Sequence, residues 1–471
     1  MPFYIPRGLG SRFTTLYNSY AQDEGLPFAS ALTEEQIQRA AVEEGACFGA
    51  DADCVFTPAI TTWAFIAQYA SDARTCVAAV ARVMVLLVAM SREPCSANTG
   101  AYCKARAKLP EGFLRRLTYE VGNAVENESP DEWRWHNRRV LLVDGFDTQL
   151  ADTRANQAEY PQPTTQHPGV GFPMMRVVVL LAFASAVLVG ASFGPYAGKE
   201  TGETALFRQL FDQLRANDII VADRYYCSYF MIALLLQRGG NVAFRMHQLR
   251  HCDFNSGRRL HPDDHIVEWV RPQRPDWMDA ATYATMPATI TVREVRYRPN
   301  IPGFRSEEIT IATTLLDHRQ YSRADIADLF HQRWHVELDI RSIKQTLKLE
   351  FIDCKTPAMS RKALWGHLLA YNLIRKVAAQ AARQRGLAPR QISFAGAKQT
   401  LDAFRWLLIA SDEDRRADVC KIVLLAIASH IVGDRPNRVE PRRVKRQKDK
   451  YPALRIPRQQ ARTRLLNGQQ D

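Results

Sequence analysis

From Val177 to Phe193 the chain runs seventeen residues without a charge, VVVLLAFASAVLVGASF. Such a stretch has to leave water, either into a bilayer or into a protein core. Its length is at the lower limit of the ~17–25 residues that span a membrane. It is rich in Val and contains Ser185, Gly190 and Ser192. Two consecutive strands of a sheet buried on both faces have this composition. The surrounding sequence, with Asp144 upstream and Asp223 downstream, favours the sheet over the span.

The flanks supply the rest of that sheet. Val140 to Val143 reads as a short buried strand ended by Asp144-Gly145. Glu200 to Ala216 reads as a helix, Asp218 to Ala222 as a strand ended by Asp223-Arg224, Ser228 to Gln237 as an apolar helix, and Val242 to Met246 as a strand after the Gly239-Gly240 turn. The order strand, two strands, helix, strand, helix, strand matches an α/β, RNase H-like core. An aspartate at the end of a buried strand is well placed to hold a metal at a sheet edge. Asp147 and Asp152 are rivals of Asp144 for this role, and either strand-end aspartate could instead cap a turn.

A third carboxylate comes from Tyr321 to Glu350, which reads as one long amphipathic helix with Ser322 as N-cap and Asp325 three residues on. At 100° per residue, Leu329, Val336, Ile340, Ile343 and Leu347 form an apolar stripe. Arg333, Glu337, Arg341, Lys344 and Lys348 form a second stripe, one acid among four cations. Exposed i,i+4 ion pairs account for part of that pattern. The excess of cations suits phosphate better.

The spacing Arg333-x3-Glu337-x6-Lys344 resembles the Tyr-x2-Arg-x3-Glu-x6-Lys signature of DDE transposases of the insertion-sequence-4 family, with Phe330 at the Tyr position. KALWGHLLAYNLIR, Lys362 to Arg375, is also similar to that family. So are Phe56 to Pro110, like its N-terminal end-recognition region, and the EPRRVKR run of the tail. The resemblance implies excision of a DNA element and strand transfer of its 3′-hydroxyl ends into target DNA. It also implies a homodimer on paired ends. A related metal-dependent nuclease, or a domesticated DNA-binding protein that does not integrate, is the alternative. Phosphodiester cleavage calls for two Mg²⁺ ions, with Mn²⁺ able to substitute, and hard carboxylate oxygens are the right ligands. Asp223 is expected to bridge the ions, with Asp144 and Glu337 each holding one. Arg333 and Lys344 are expected to grip phosphates, with Arg341 and Lys348 on the same stripe. Phe330 is expected to pack against the DNA end or the Arg333 guanidinium.

Glu337 lies 114 residues after Asp223, more than a simple RNase H-like core needs. Two alternating β-branched runs, Thr289 to Tyr297 and Glu308 to Thr313, make the intervening segment a β-rich insertion. The expected division of the 471 residues is a helical N-terminal end-binding region (1–128), the first part of the catalytic core (129–246), the insertion (247–316), the second part of the core (317–385), and C-terminal helices with a basic tail (386–471). In the first of these, Lys104, Arg106 and Lys108 with Tyr102 form a basic and aromatic cluster suited to DNA phosphates.

The net charge is +12, and Arg435 to Arg464 alone holds twelve Lys/Arg against Glu440 and Asp449. This tail, including Arg442, Arg443, Lys445 and Arg446, reads as an extended phosphate clamp. The nine cysteines form no C-x2-C pair, which fits reduced thiols in a cytoplasm. His247, His251 and Cys252 lack a fourth zinc ligand at usual spacing. MPFYIPRGLGSRF has no apolar h-region, so no export signal is expected. Double-stranded DNA is the expected partner, no membrane is, and the expected location is the cytoplasm at the nucleoid.

Overall fold

The computed structural model describes residues 32–48, 54–89, 91–247, 249–298, 308–411, 413–433 and 455–468. Five helices come first: α1 (Glu34–Glu43), α2 (Pro58–Ala70), α3 (Cys76–Ala89), α4 (Gly100–Lys108) and α5 (Glu111–Asn127). Thr33 and Gln36 close a capping box on α1, as their spacing predicts. Pro58 opens α2 where its missing N–H costs nothing.

The central elements are β1 (Val140–Leu150), α6 (Arg154–Glu159), β2 (Met174–Ala182), β3 (Leu188–Pro195), α7 (Glu203–Arg208), β4 (Ile219–Ala222), α8 (Tyr229–Gln237) and β5 (Asn241–Arg245). The strand order β3-β2-β1-β4-β5, with β1, β4 and β5 parallel, β2 antiparallel to β1 and β3 antiparallel to β2, is RNase H-like. The uncharged run is two paired strands, with Val177 opposite Phe193, and both faces are buried. Among the described residues no helix is long and apolar enough to cross a membrane.

β6 (Arg258–His261), β7 (Asp264–Val270), α9 (Ala280–Thr285), β8 (Thr289–Tyr297) and β9 (Ile309–Thr313) follow. They do not form a separate layer. β9 pairs antiparallel with β5, and β8, β7 and β6 continue outward, so one sheet runs through both parts. A buried ion pair, Arg293 to Asp264 at 2.6 Å, joins β8 to β7.

The chain then forms α10 (Arg323–His331), α11 (Trp334–Arg341), β10 (Phe351–Ile352), α12 (Pro357–Gln384), α13 (Phe394–Ala410), α14 (Glu413–Ser429) and α15 (Arg458–Leu466). The expected single helix over 321–350 is therefore broken. It turns at Gln332–Arg333 and widens into a π turn over Ser342–Thr346. Its apolar stripe nevertheless holds, since Leu329, Val336, Ile340, Ile343 and Leu347 are all buried. β10 returns to β1 in parallel, with Gln149 opposite Phe351. α12 covers the sheet, and Asn372 fastens it by exchanging hydrogen bonds with Leu188 of β3 and donating to Thr118 of α5.

Three further expectations are corrected. The helix over 200–216 shrinks to α7 and a 3-10 turn at Phe211–Gln213, because Gly202 starts it late and Phe207, Leu210 and Phe211 are drawn into the core. Residues 151–171, polar and Pro-rich and so expected to form a loop, begin with α6, capped by Thr153. The tail, read as extended throughout, carries α15 at its described end.

Candidate active site

β1 does not stop at Asp144, as its Gly145 suggested, but runs on to Leu150. Asp144 thus stands within an interior strand, opposite Val179 of β2. Asp223 follows the last residue of β4, and its carboxylate accepts from Arg224 N at 2.7 Å. The parallel register Leu142↔Val221 puts Asp144 and Asp223 each two residues beyond the same rung. They leave neighbouring strands at one edge of the sheet.

Glu337 reaches that edge from α11. Arg333 spans the gap: its Nη2 donates to Glu337 Oε1 at 2.7 Å, and its Nη1 lies 3.7 Å from Asp144 Oδ2. What holds α11 in place is Asp339, two residues after Glu337 and pointing away from it. Asp339 is 1% exposed. Its two oxygens accept from Arg375 of α12 at 2.7 Å and from Arg390 at 2.8 Å. Arg390 also donates to the carbonyls of Ala182 and Phe183 at the end of β2. The short helix is thereby fixed in roll against both α12 and the sheet.

A fourth carboxylate, Glu203, enters from the start of α7. Tyr226, in the turn headed by Asp223, donates to it at 3.2 Å. Burial pushes the Glu203 carboxyl above its usual range, aided by the charges of Asp147 and Asp223 and opposed by Tyr226 and Arg176. Asp144 is pushed up to about 6, by burial first and then by Glu203 and Glu337, against the Gly145 N–H and Arg333. Sequence reasoning had placed Glu203 inside a helix and seen nothing in it. Asp147, the rival of Asp144, pairs with Arg176 at 3.2 Å. Asp152 accepts from Gln157 in the following loop.

The cations divide by place. Lys344 Nζ lies 6.0 Å from the ring of Phe146, which shares the Asp144 face of β1. Arg245, at the end of β5, was not foreseen; burial lowers its pKa, and Arg224, Asp223 and Arg333 all act on it. Arg341 is exposed. Lys348 turns away to Asp72, 3.4 Å off.

One aromatic expectation is met in its Arg333 alternative, and another is corrected. Phe330 is 5% exposed and part of the core, with the Arg333 guanidinium 6.0 Å from its ring; its apolar ring follows Ile326 and Leu329 inward instead of standing on a DNA-facing stripe. Tyr102 is fully buried and donates to Gln68 at 2.7 Å, since the helix face with Ala105 turns into the N-terminal bundle. Of its neighbours, Lys104 and Lys108 are exposed and Arg106 is half-buried against the Tyr102 ring. Arg442, Arg443, Lys445 and Arg446 lie outside the described residues.

Among the described residues no three His, Cys, Asp or Glu side chains converge closely enough, as placed, to form a metal cluster. The donor set nevertheless fits a hard divalent cation: Asp144, Asp223 and Glu337 are all carboxylates, Glu203 and Glu337 both raise the proton affinity of Asp144, and a single guanidinium is the cation between Asp144 and Glu337.

Residues 135–373 match the family model described as the transposase DDE domain. The chain belongs to the DDE transposase family. The match begins just before β1 and ends within α12, so it takes in Asp144, Asp223 and Glu337. This DDE-family chain is also similar to two curated proteins of Escherichia coli (strain K12). Transposase InsG for insertion sequence element IS4 is 26% identical over 299 residues, 62% of this chain and 64% of that protein. Putative transposase InsZ is 26% identical over 147 residues, 31% of this chain and 47% of that one. The chain thus spans less than two thirds of either curated relative. A solved piggyBac transposase synaptic complex with hairpin DNA aligns over 96% of this chain and 89% of that one, at 10% identity and a TM-score of 0.41.

Proposed function

We propose that this DDE-family chain cuts DNA at the ends of an insertion sequence and joins the freed 3′-ends to target DNA, a cut-and-paste transposition. The observation that carries this is the meeting of Asp144 and Glu337 on Arg333, beside Asp223, at one edge of an RNase H-like sheet.

Asp144, Asp223 and Glu337 would hold two Mg²⁺ ions. Bound there, the metal supplies hydroxide at neutral pH and charge relief on the leaving oxygen. The side chains do the rest. The Arg333 guanidinium neutralises Asp144 and Glu337 in the free protein, and its planar fork suits a phosphate once they are otherwise engaged. Lys344 and Arg245 flank the same edge and would carry neighbouring phosphates. No side-chain base is required, because the bound metal would activate the water.

The N-terminal helices (1–128) would read the element end through Lys104, Arg106 and Lys108. Residues 129–246 and 317–385 would form the catalytic core around the 247–316 insertion, and the 386–471 region with its basic tail would clamp the backbone. A homodimer on paired ends and a place at the nucleoid of the cytoplasm complete the proposal.

The test is a plasmid bearing the inverted repeats that flank the element. Metal-dependent nicking at the repeat, followed by joining of the 3′-end to a second duplex, is the expected result. Nicking without joining would leave a nuclease, and the absence of both nicking and joining would refute the proposal.

A further inference from the structure

Gly145 is the one residue of its strand segment with no side chain, and the space beside it is not empty. A Cβ built there would stand 2.6 Å from Cδ and 2.8 Å from Oε1 of Glu203. The Glu203 carboxylate therefore lies directly on the bare α-carbon next to Asp144. Glycine inside a central strand weakens it unless something approaches closely, and here something does. The other carboxylate oxygen takes the Tyr226 hydroxyl at 3.2 Å. Tyr226 is 1% exposed and sits three residues after Asp223. Its ring meets Phe207 of α7 edge-on, with centroids 5.7 Å apart. One side chain thus touches the strand beside Asp144 and the turn beside Asp223.

We propose that Glu203 is a positioning residue that sets the spacing between Asp144 and Asp223, by resting on Gly145 and accepting from Tyr226. Its role depends on length and on an acceptor oxygen, so glutamine should serve where alanine does not. Gly145 has a matching role, because any side chain at 145 displaces the Glu203 carboxylate. The Glu203 tip can swing aside, so Gly145→Ala should fold and yet behave like the loss of Glu203. The proposal deepens the cleavage reading above and rests on it for its catalytic consequence only.

Four proteins test it: Glu203→Ala, Glu203→Gln, Gly145→Ala and the Glu203→Ala/Gly145→Ala double. Three readouts are taken: plasmid nicking in Mg²⁺, plasmid binding in Ca²⁺, and amide exchange in residues 223–227. A displacement near 1 Å costs about 100-fold in rate, so Glu203→Ala and Gly145→Ala should each nick about 10- to 100-fold slower with binding retained. The turn should exchange faster in both, and Glu203→Gln should restore rate and protection. The double should be no slower than either single, since both remove one contact. Wild-type exchange in Glu203→Ala would overturn the proposal, as would additive losses in the double. A glutamine variant as slow as the alanine one would also overturn it, in favour of the charge acting directly. If the wild type does not nick at all, the cleavage reading fails, and the exchange data alone still decide whether Glu203 positions the turn.

Discussion

Arg333 donates to Glu337 across 2.7 Å, one helical turn ahead of it. The same guanidinium reaches within 3.7 Å of Asp144 on the sheet, so its two arms serve two carboxylates from different elements. A lysine at this position is a single point charge and cannot span both. Arg333→Lys should therefore slow single-turnover nicking by about 100-fold, the scale of losing one preorganised donor. Quench-flow on an intact element-end duplex measures it, and a wild-type rate would mean that charge alone suffices.

Asp144→Asn, Asp223→Asn and Glu337→Gln each remove one anionic oxygen donor at constant shape. Nicking should vanish in all three while binding in Ca²⁺ persists. Cleavage by Asp144→Asn at the wild-type rate would shift the role to Asp147, whose present partner is Arg176.

The Asp144 carboxyl, pushed up to about 6, is neutral below that pH and ionised above it. Only the anion binds a metal. Mn²⁺ affinity of the free protein should therefore fall on acidification below pH 6, by about tenfold per unit for one ligand proton. Calorimetric titrations at pH 5 and pH 7 give the comparison; equal affinities would remove Asp144 from the ligand set.

Asp339 is the anion between two buried guanidiniums, Arg375 and Arg390. Asp339→Asn keeps the shape and leaves both cations without a counter-charge. Breaking a buried pair in this way costs about 3–5 kcal/mol. Urea unfolding should show that loss, and an unchanged midpoint would mean that α11 is held by its apolar stripe alone.

Lys376, buried in the middle of α12, has its pKa pushed down to about 7 by burial, with Glu128 opposing. Its unfolded value is about 10.4. Between the two, the unfolded chain binds more protons than the folded one, so stability rises with pH. The cost of burying the ammonium is fully present below pH 7 and is gone by about pH 10. Lys376→Met should raise the melting temperature most near pH 6 and least near pH 10. A constant gain across that range would point to packing instead of charge.

The placing of Asp144 and Asp223 on neighbouring strands was legible because strands buried on both faces must be apolar, and an aspartate beside one stands out. Val140–Val143 and Ile219–Ala222 are such strands, and both are central. The apolar stripe of 329–347 was legible because burial follows helical period even through a break. What stayed hidden depends on long-range partners. Glu203 looks like any acidic helix start until Gly145 and Tyr226 are seen around it. Tyr102 and Phe330 lie near cations in sequence but face inward, Tyr102 with Ala105 and Phe330 with Ile326 and Leu329, because the apolar members of a helical face set which way it turns. β6 and β7 were missed since their polar, charged residues give weak alternation; Arg258 and Arg259 are exposed at the sheet's outer edge.

The return of β10 to β1 has a consequence in time. Thr148, four residues after Asp144, donates to Leu349, 201 residues later in the chain. At roughly 5–20 residues per second of synthesis, the Asp144 strand leaves the ribosome about 10–40 s before its last partner exists. For most of that interval Glu337 and Arg333 are also unmade, so a growing chain carries an aspartate-bearing strand and an incomplete acidic site. The proposed cutting activity is thereby withheld by the order of translation until Arg333 and Glu337 have been read.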